Sequence, residues 1–267
     1  MRRRPAVSGQ FYPATADELR DDLAVMISPV ANKRKVFGII SPHAGYIYSG
    51  GIAGLGFSAI DIPSTILIIG PNHRGAGPPA ALFPDGSWNT PLGDIHINSR
   101  LNALLLQHVP YVQADILAHQ FEHSLEVQVP FIQYLQPQAT ISAICFEYGD
   151  FAAAFKIGEG IAAALRAYGE DVLIVASSDM THYESAVSAK RKDNLALAHV
   201  LKLDPEGLLQ VCRRERITMC GVMPAAVMLV AASSLGARQA EVLAYGTSGD
   251  VTGDDSQVVG YASVAVW

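Results

Sequence analysis

Short, nearly continuous aliphatic runs alternate with helix-length segments along most of the chain. Val36–Ile40, Thr65–Ile69, Thr140–Cys145 and Val172–Ala176 lack the in-out alternation of a half-exposed sheet. Each therefore predicts a strand buried on both faces. The later runs Glu241–Tyr245 and Val258–Val266 predict further strands of the same sheet. Helices are predicted at Asp17–Ile27, at the alanine-rich Phe151–Tyr168, at Ala186–Leu201 and at Pro224–Leu235. Pro205 and Pro224 suit first-turn positions, Thr90–Asp94 is a turn cluster, and Gly75–Pro79 is a loop. The alternation points to an α/β fold, a mainly parallel or mixed central sheet covered by helices on both faces. No repeat, low-complexity tract or Pro/Ser-rich linker divides the sequence, which predicts one domain over residues 1–267.

The polar residues fall in telling places relative to these strands. Ser41-Pro42-His43-Ala44-Gly45 follows the first strand, Gly70-Pro71-Asn72-His73 the second, and Ser177-Ser178-Asp179-Met180-Thr181-His182 the strand at Val172–Ala176. All three clusters thus sit at predicted carboxyl ends, which in a parallel sheet share one edge and form the usual place for a ligand. A single histidine is more often structural than functional. Three strand ends carrying imidazole or carboxylate together predict a shared site.

Composition narrows the class. With 50% hydrophobic and 16% charged residues, the chain is neither disordered nor fibrous. A net charge of −6 supplies no broad phosphate-neutralising surface, so nucleic acid is not an expected partner. Three cysteines without a Cys-x-x-Cys pair suit a reducing cytoplasm rather than a disulfide framework. The opening Met1-Arg-Arg-Arg4 lacks the apolar run of a signal peptide and is read as a mature start. Two uncharged stretches, Val36–Ile60 and Ile217–Ala237, raise the question of a membrane span. Pro42, His43 and glycines break the first, and Cys220-Gly221 and Pro224 break the second, so no membrane association is expected.

Cys220 lies just before the helix predicted near Pro224. A helix start lowers a thiol pKa and a bound metal deprotonates it, although a free cysteine is usually just a small buried apolar group. Cys145 and Cys212, inside a strand and a helix, are assigned to that ordinary role. His119 and His123 stand four apart as on one helical face, but Gln120 occupies the position where a zinc-protease helix needs Glu. His123 and Glu126 instead read as an acid/base or supporting pair beside a metal, or as a solvated cluster at a helix start. Tyr46 and Tyr48 could set specificity or be core rings. His96, His108 and His199 receive no role.

The sequence resembles the Memo family, part of a prokaryotic set with AMMECR-type and radical SAM members. The resemblance is carried nearly end to end by Arg4–Pro13, Pro42–Gly50, Gly70–His73, Thr90–Gly93, Glu122–Glu126, Ser177–Asp179 with His182, Cys220-Gly221 and Tyr261–Ser263. It implies a fold like that of class III extradiol ring-cleavage dioxygenases, whose non-haem iron is held by two histidines and a carboxylate. In the Memo family a cysteine stands where that carboxylate would be. The resemblance assigns His43, His73 and Cys220 as metal ligands, and places Asp179 and His182 in the same pocket.

These readings predict a cytoplasmic, Fe(II)-dependent redox enzyme of dioxygenase-like type, with His123 or His182 moving a proton and Asp179 orienting its neighbour. Two imidazoles and a thiolate also suit Zn or Cu. A zinc hydrolase is thus one alternative. The other is a binding protein for phosphotyrosine-type ligands or partner proteins, as eukaryotic relatives are described. A small-molecule or peptide ligand in the strand-end pocket is expected, with AMMECR-type and radical SAM proteins as companions.

Overall fold

The computed structural model describes residues 1–267. Its centre is four parallel strands in the spatial order Thr140–Phe146, Thr65–Pro71, Val172–Ser177, Gly38–Ser41. Val258–Val266 runs antiparallel beside Gly38–Ser41 and carries Ala240–Thr247 and the short His182–Glu184 on its far side. On the other flank, Gly93–Ile97 pairs parallel with Thr140–Phe146 and antiparallel with Ser87–Thr90. Pro91-Leu92 forms the two-residue turn of that hairpin, as the turn cluster predicts. The sheet is therefore mixed, with a parallel core, in agreement with the expected fold class.

Alternation along the central strands sends side chains to two apolar layers. Ile40, Leu67, Ile69 and Ile174 pack beneath the helices Ser99–His108, Phe151–Tyr168, Ala186–Val200, Pro205–Arg214 and Val222–Leu235. Ile39, Ile66, Ile68 and Val175 pack against Ala16–Met26, Tyr46–Ser58 and Val129–Leu135 on the opposite face. Helix starts are fixed by side-chain caps, Thr15 for Ala16–Met26, Asp150 for Phe151–Tyr168 and Ser185 for Ala186–Val200. No helix is long and apolar enough to cross a membrane.

The helix Tyr46–Ser58 is the element that local propensity hides, because four of its thirteen residues are glycine. Tertiary packing selects the glycines. A Cβ at Gly54 would overlap the Met26 backbone, and one at Gly56 would overlap the Ser263 side chain. The helix gives up intrinsic stability to lie close against Ala16–Met26 and Val258–Val266.

Candidate metal centre

Three of the predicted strand-end histidines do not converge as a set of their own. His43 and His73 meet His123 rather than His182. The ligand atoms of His43, His73 and His123 all lie within 4.8 Å of one another. His43 follows Gly38–Ser41 and His73 follows Thr65–Pro71, so the parallel sheet brings them to one edge. His123 arrives from the loop after the short helix Leu117–Gln120, and its ring stacks on His73 with centroids 4.8 Å apart.

Hydrogen bonds fix the tautomers of two imidazoles. The Ser177 hydroxyl donates its single proton to the Ser124 carbonyl at 2.6 Å, so toward His43 Nδ1, at 2.9 Å, it can only accept. His43 therefore carries its proton on Nδ1 and presents a lone pair on Nε2. Gln128 Nε2 also donates to Ser177 Oγ and to the Pro42 carbonyl, at 2.9 and 2.8 Å, holding the loop behind the ring. His73 Nδ1 donates to Glu122 Oε1 at 2.9 Å, which leaves its Nε2 lone pair free as well. A carboxylate behind a ligating imidazole is the usual support of a metal histidine.

Glu122 is almost fully buried and accepts, besides that ring proton, the amides of His73 at 2.6 Å and Ser124 at 2.8 Å. Burial raises its carboxyl, but the bond and charge from His73 and the Ser124 amide outweigh burial and hold it at about 2. Its anion also stands 3.4 Å from His123 Nδ1. Burial lowers His123 to about 4, with His73 adding to the shift and Glu122 opposing it. Burial, then His123, His73 and His182, push His43 well below the ordinary imidazole value. At neutral pH, His43 and His123 are therefore uncharged donors.

Cys220 stands at the edge of this group, its Sγ 3.2 Å from His43 Nε2. Gly221 puts it there: the Gly221 amide donates to Ser178 Oγ at 3.0 Å, and a Cβ would overlap Ser177 and Ser178. The expectation that the helix start lowers the thiol pKa is overturned. Burial and the Asp179 charge raise it, against the smaller lowering effects of the Asp179 amide, Ser178 and Gly221. The protonated thiol faces the His43 Nε2 lone pair, so a metal arriving here displaces a proton from sulfur.

Asp179 is buried beside them, its Oδ1 accepting the His43 amide at 2.7 Å and its Oδ2 lying 4.0 Å from His43 Nε2. Burial raises its carboxyl, against the lowering effect of the His43 and Ala44 amides. His182 is set back: its Nδ1 donates to the Thr218 carbonyl at 2.9 Å, leaving Nε2 as an acceptor. Glu126 is not part of the site. It accepts from Arg3 at 2.6 Å, the Ala6 and Val7 amides, and the Tyr12 hydroxyl, because the N-terminal segment folds over it. The expected His123–Glu126 pair is thus replaced by His123–Glu122. His119 is also spent elsewhere, donating to the Ala81 carbonyl at 3.0 Å with Cys145 3.4 Å from its Nδ1. Of the two tyrosines, Tyr46 is a core ring bonded to the Val127 carbonyl, whereas Tyr48 is partly exposed.

The residues fit a transition-metal ion on their donor chemistry. Two nitrogens about 2.1 Å from one ion lie roughly 3 to 3.4 Å apart, so a set already within 4.8 Å needs only a small closure. Two cavities, of about 610 and 550 Å³, lie away from the imidazoles, one between Lys35 and Trp267 at the amino ends of the strands, the other beside Met1–Ala6 and Phe121. Of the three imidazoles His73, with its side chain 31% exposed, is the most open.

Ser177, Glu122 and Gln128 are functional neighbours that the sequence reading left without roles. The position of Glu122 directly before His123 and of Ser177 two residues before Asp179 was the available signal. Which imidazole each would support depends on folds of the chain 49 and 134 residues apart in sequence.

Comparison with known proteins matches this chain to the Memo-like protein family model over residues 3–265. A MEMO1 family protein of Methanopyrus kandleri is 38% identical over 278 residues, covering 99% of this chain and 98% of the relative. One from Methanosarcina acetivorans is 40% identical over 266 residues, with 99% and 98% covered, and one from Thermotoga maritima is 37% identical with both chains fully covered. The fold is also similar to a crystal structure of an uncharacterized Escherichia coli K12 protein. That likeness has a TM-score of 0.53 at 16% identity and covers 86% of this chain and 99% of the other. End-to-end similarity at this level makes the protein a member of the Memo family.

Proposed function

We propose that the chain is a metal-dependent redox enzyme of dioxygenase-like type. His43, His73 and His123 would hold one divalent ion, Fe(II) in the working form, with the Cys220 thiolate as a further donor. The convergence of three imidazoles, two of them with tautomers that leave Nε2 open, carries this reading. Bound there, Fe(II) would supply open coordination positions and one-electron chemistry for joining dioxygen to an oxygen-bearing substrate. The resemblance to extradiol dioxygenases supports redox chemistry over hydrolysis.

The chain's own groups have definable tasks in such a reaction. Glu122 keeps the His73 proton on Nδ1, and Ser177 does the same for His43. Asp179 and the free Nε2 of His182 are placed to take or return a proton at the recess. In the same reading the 267 residues act as one cytoplasmic domain on a small-molecule or peptide ligand, alongside AMMECR-type and radical SAM companions.

The test is elemental analysis of protein purified without oxygen, wild type beside His73→Ala and Cys220→Ala, followed by oxygen uptake on the iron-loaded form. One iron per chain, lost in His73→Ala, with uptake in the wild type, supports the proposal. Zinc alone, without uptake, would transfer the site to hydrolysis. A wild type that takes no metal on loading, yet binds phosphotyrosine peptide, would make it a binding protein.

A further inference from the structure

We propose that the cavity beside the amino-terminal segment is a second ligand site, for a small molecule that joins an anionic group to an apolar body. It lies outside the imidazole centre and does not depend on the metal reading. Arg2-Arg3 pairs parallel with Ser87-Trp88, and alternation along this extended segment buries Arg3 while Arg2 and Arg4 stay exposed. The segment forms one side of a cavity of about 550 Å³, and Ile116, Leu117, Gln120 and Phe121 form the other. That volume is ordinary for a small-molecule site. The second wall is fixed before any ligand arrives, because buried Arg3 donates to the His119 and Glu122 carbonyls, both at 2.7 Å, and so holds the backbone on either side of Gln120 and Phe121. A site with fixed walls pays little ordering cost on binding.

Charge sets the class of ligand. In a chain of net charge −6, this cavity is lined by three arginines and by no carboxylate. The cavity between Lys35 and Trp267 is of similar size but sets Asp61, Glu170 and Asp171 against a single lysine, so only the amino-terminal one favours an anion. Arg2 is neutralised by Asp94 and Arg3 by Glu126, whereas Arg4, exposed beside them, enters no ion pair. A guanidinium fork is matched by a carboxylate, sulfonate or phosphate. The opposite wall calls for an apolar body: Leu117 and Phe121 are 60% and 61% exposed, and Ile116 stands beside them. Large apolar side chains left open next to an unpaired cation are the complement of an amphiphilic anion.

The experiment titrates the full-length protein with two dyes that brighten in apolar surroundings, anilinonaphthalene sulfonate and its uncharged parent N-phenylnaphthylamine. The wild type is expected to bind the sulfonate saturably and more tightly than the neutral dye. Arg4→Gln should weaken the sulfonate roughly tenfold, the loss of one charge-assisted contact, and leave the neutral dye unchanged. Leu117→Asp should weaken both dyes, and His73→Ala neither. Both Arg4 and Leu117 are exposed, so the two variants should melt at the wild-type temperature. Absence of saturable sulfonate binding to the wild type overturns the proposal, as does equal affinity for the two dyes. Sulfonate affinity that survives both Arg4→Gln and Leu117→Asp also overturns it, because the dye then sits elsewhere. Loss of binding in His73→Ala with retention in Leu117→Asp would place the anion at the imidazole centre instead.

Discussion

Replacing Glu122 by Gln tests the centre through a residue that would not touch the metal. The carboxylate accepts three hydrogen bonds, from His73 Nδ1 at 2.9 Å, the His73 amide at 2.6 Å and the Ser124 amide at 2.8 Å. The first and third fall on Oε1 and the second on Oε2. A glutamine has only one acceptor oxygen. With that oxygen at the Oε1 position, its NH₂ opposes the His73 amide, donor against donor. With the amide flipped, the NH₂ faces the His73 ring, which must move its proton to Nε2 and so occupy the lone pair the metal needs. Either arrangement weakens the site. Loss of such a supporting carboxylate typically costs 10- to 100-fold in metal affinity, or about 1.4 to 2.7 kcal/mol. Competition titration of Zn(II) or Co(II) against a chromophoric chelator at pH 7.5 measures it directly, with thermal melting of the metal-free proteins as the check on folding. A folded Glu122→Gln variant that binds one equivalent within twofold of wild type would refute the tautomer argument and with it the assignment of His73.

Other outcomes follow from the same geometry. His123→Ala should lower metal affinity more than Cys220→Ala, because the imidazole belongs to the converging set whereas the thiol meets just one of the three imidazoles, His43; full occupancy in His123→Ala with complete loss in Cys220→Ala, read by elemental analysis, would restore a His43, His73, Cys220 ligand set. Gly221→Ala should also reduce metal occupancy while the sheet stays intact, since a Cβ there displaces the turn that carries Cys220; unchanged occupancy would show that the turn has room to give. Glu126→Gln should destabilise the fold by about 3 to 5 kcal/mol in urea unfolding, because it leaves Arg3 buried beside a neutral group. The metal-free protein should lose stability as pH falls from about 7.5 to 5. His43, His119 and His123 have folded pKa values below the unfolded value near 6.5, so the unfolded chain takes up more protons in that window. The Asp179 and Asp193 carboxyls, both raised by burial, oppose this but are two groups against three, and urea midpoints that rise on acidification would contradict the reading.

Much of the scaffold was already written in local pattern. The four central strands begin within two residues of their expected starts and run one or two residues further. Phe151–Tyr168 forms with the predicted bounds, because its Asp150 cap and Gly169 stop are local signals. Tyr46–Ser58 escaped notice because its glycines are chosen by neighbours distant in sequence. Strand order then delivers His43 and His73 to one edge, which the rule for parallel sheets anticipates.

Sequence by itself determined the α/β class, the strand edge at which His43 and His73 meet, and the family. Periodicity, turn residues and motif order are properties of neighbouring positions, and neighbouring positions can be read without the fold. Only tertiary structure decided which polar groups meet. It gave His123 rather than His182 to the imidazole cluster, and turned Glu126 toward Arg3 and Glu122 toward His73. Those outcomes depend on hydrogen bonds and burial between segments far apart in the chain, where a shift of one residue reverses which way a side chain points.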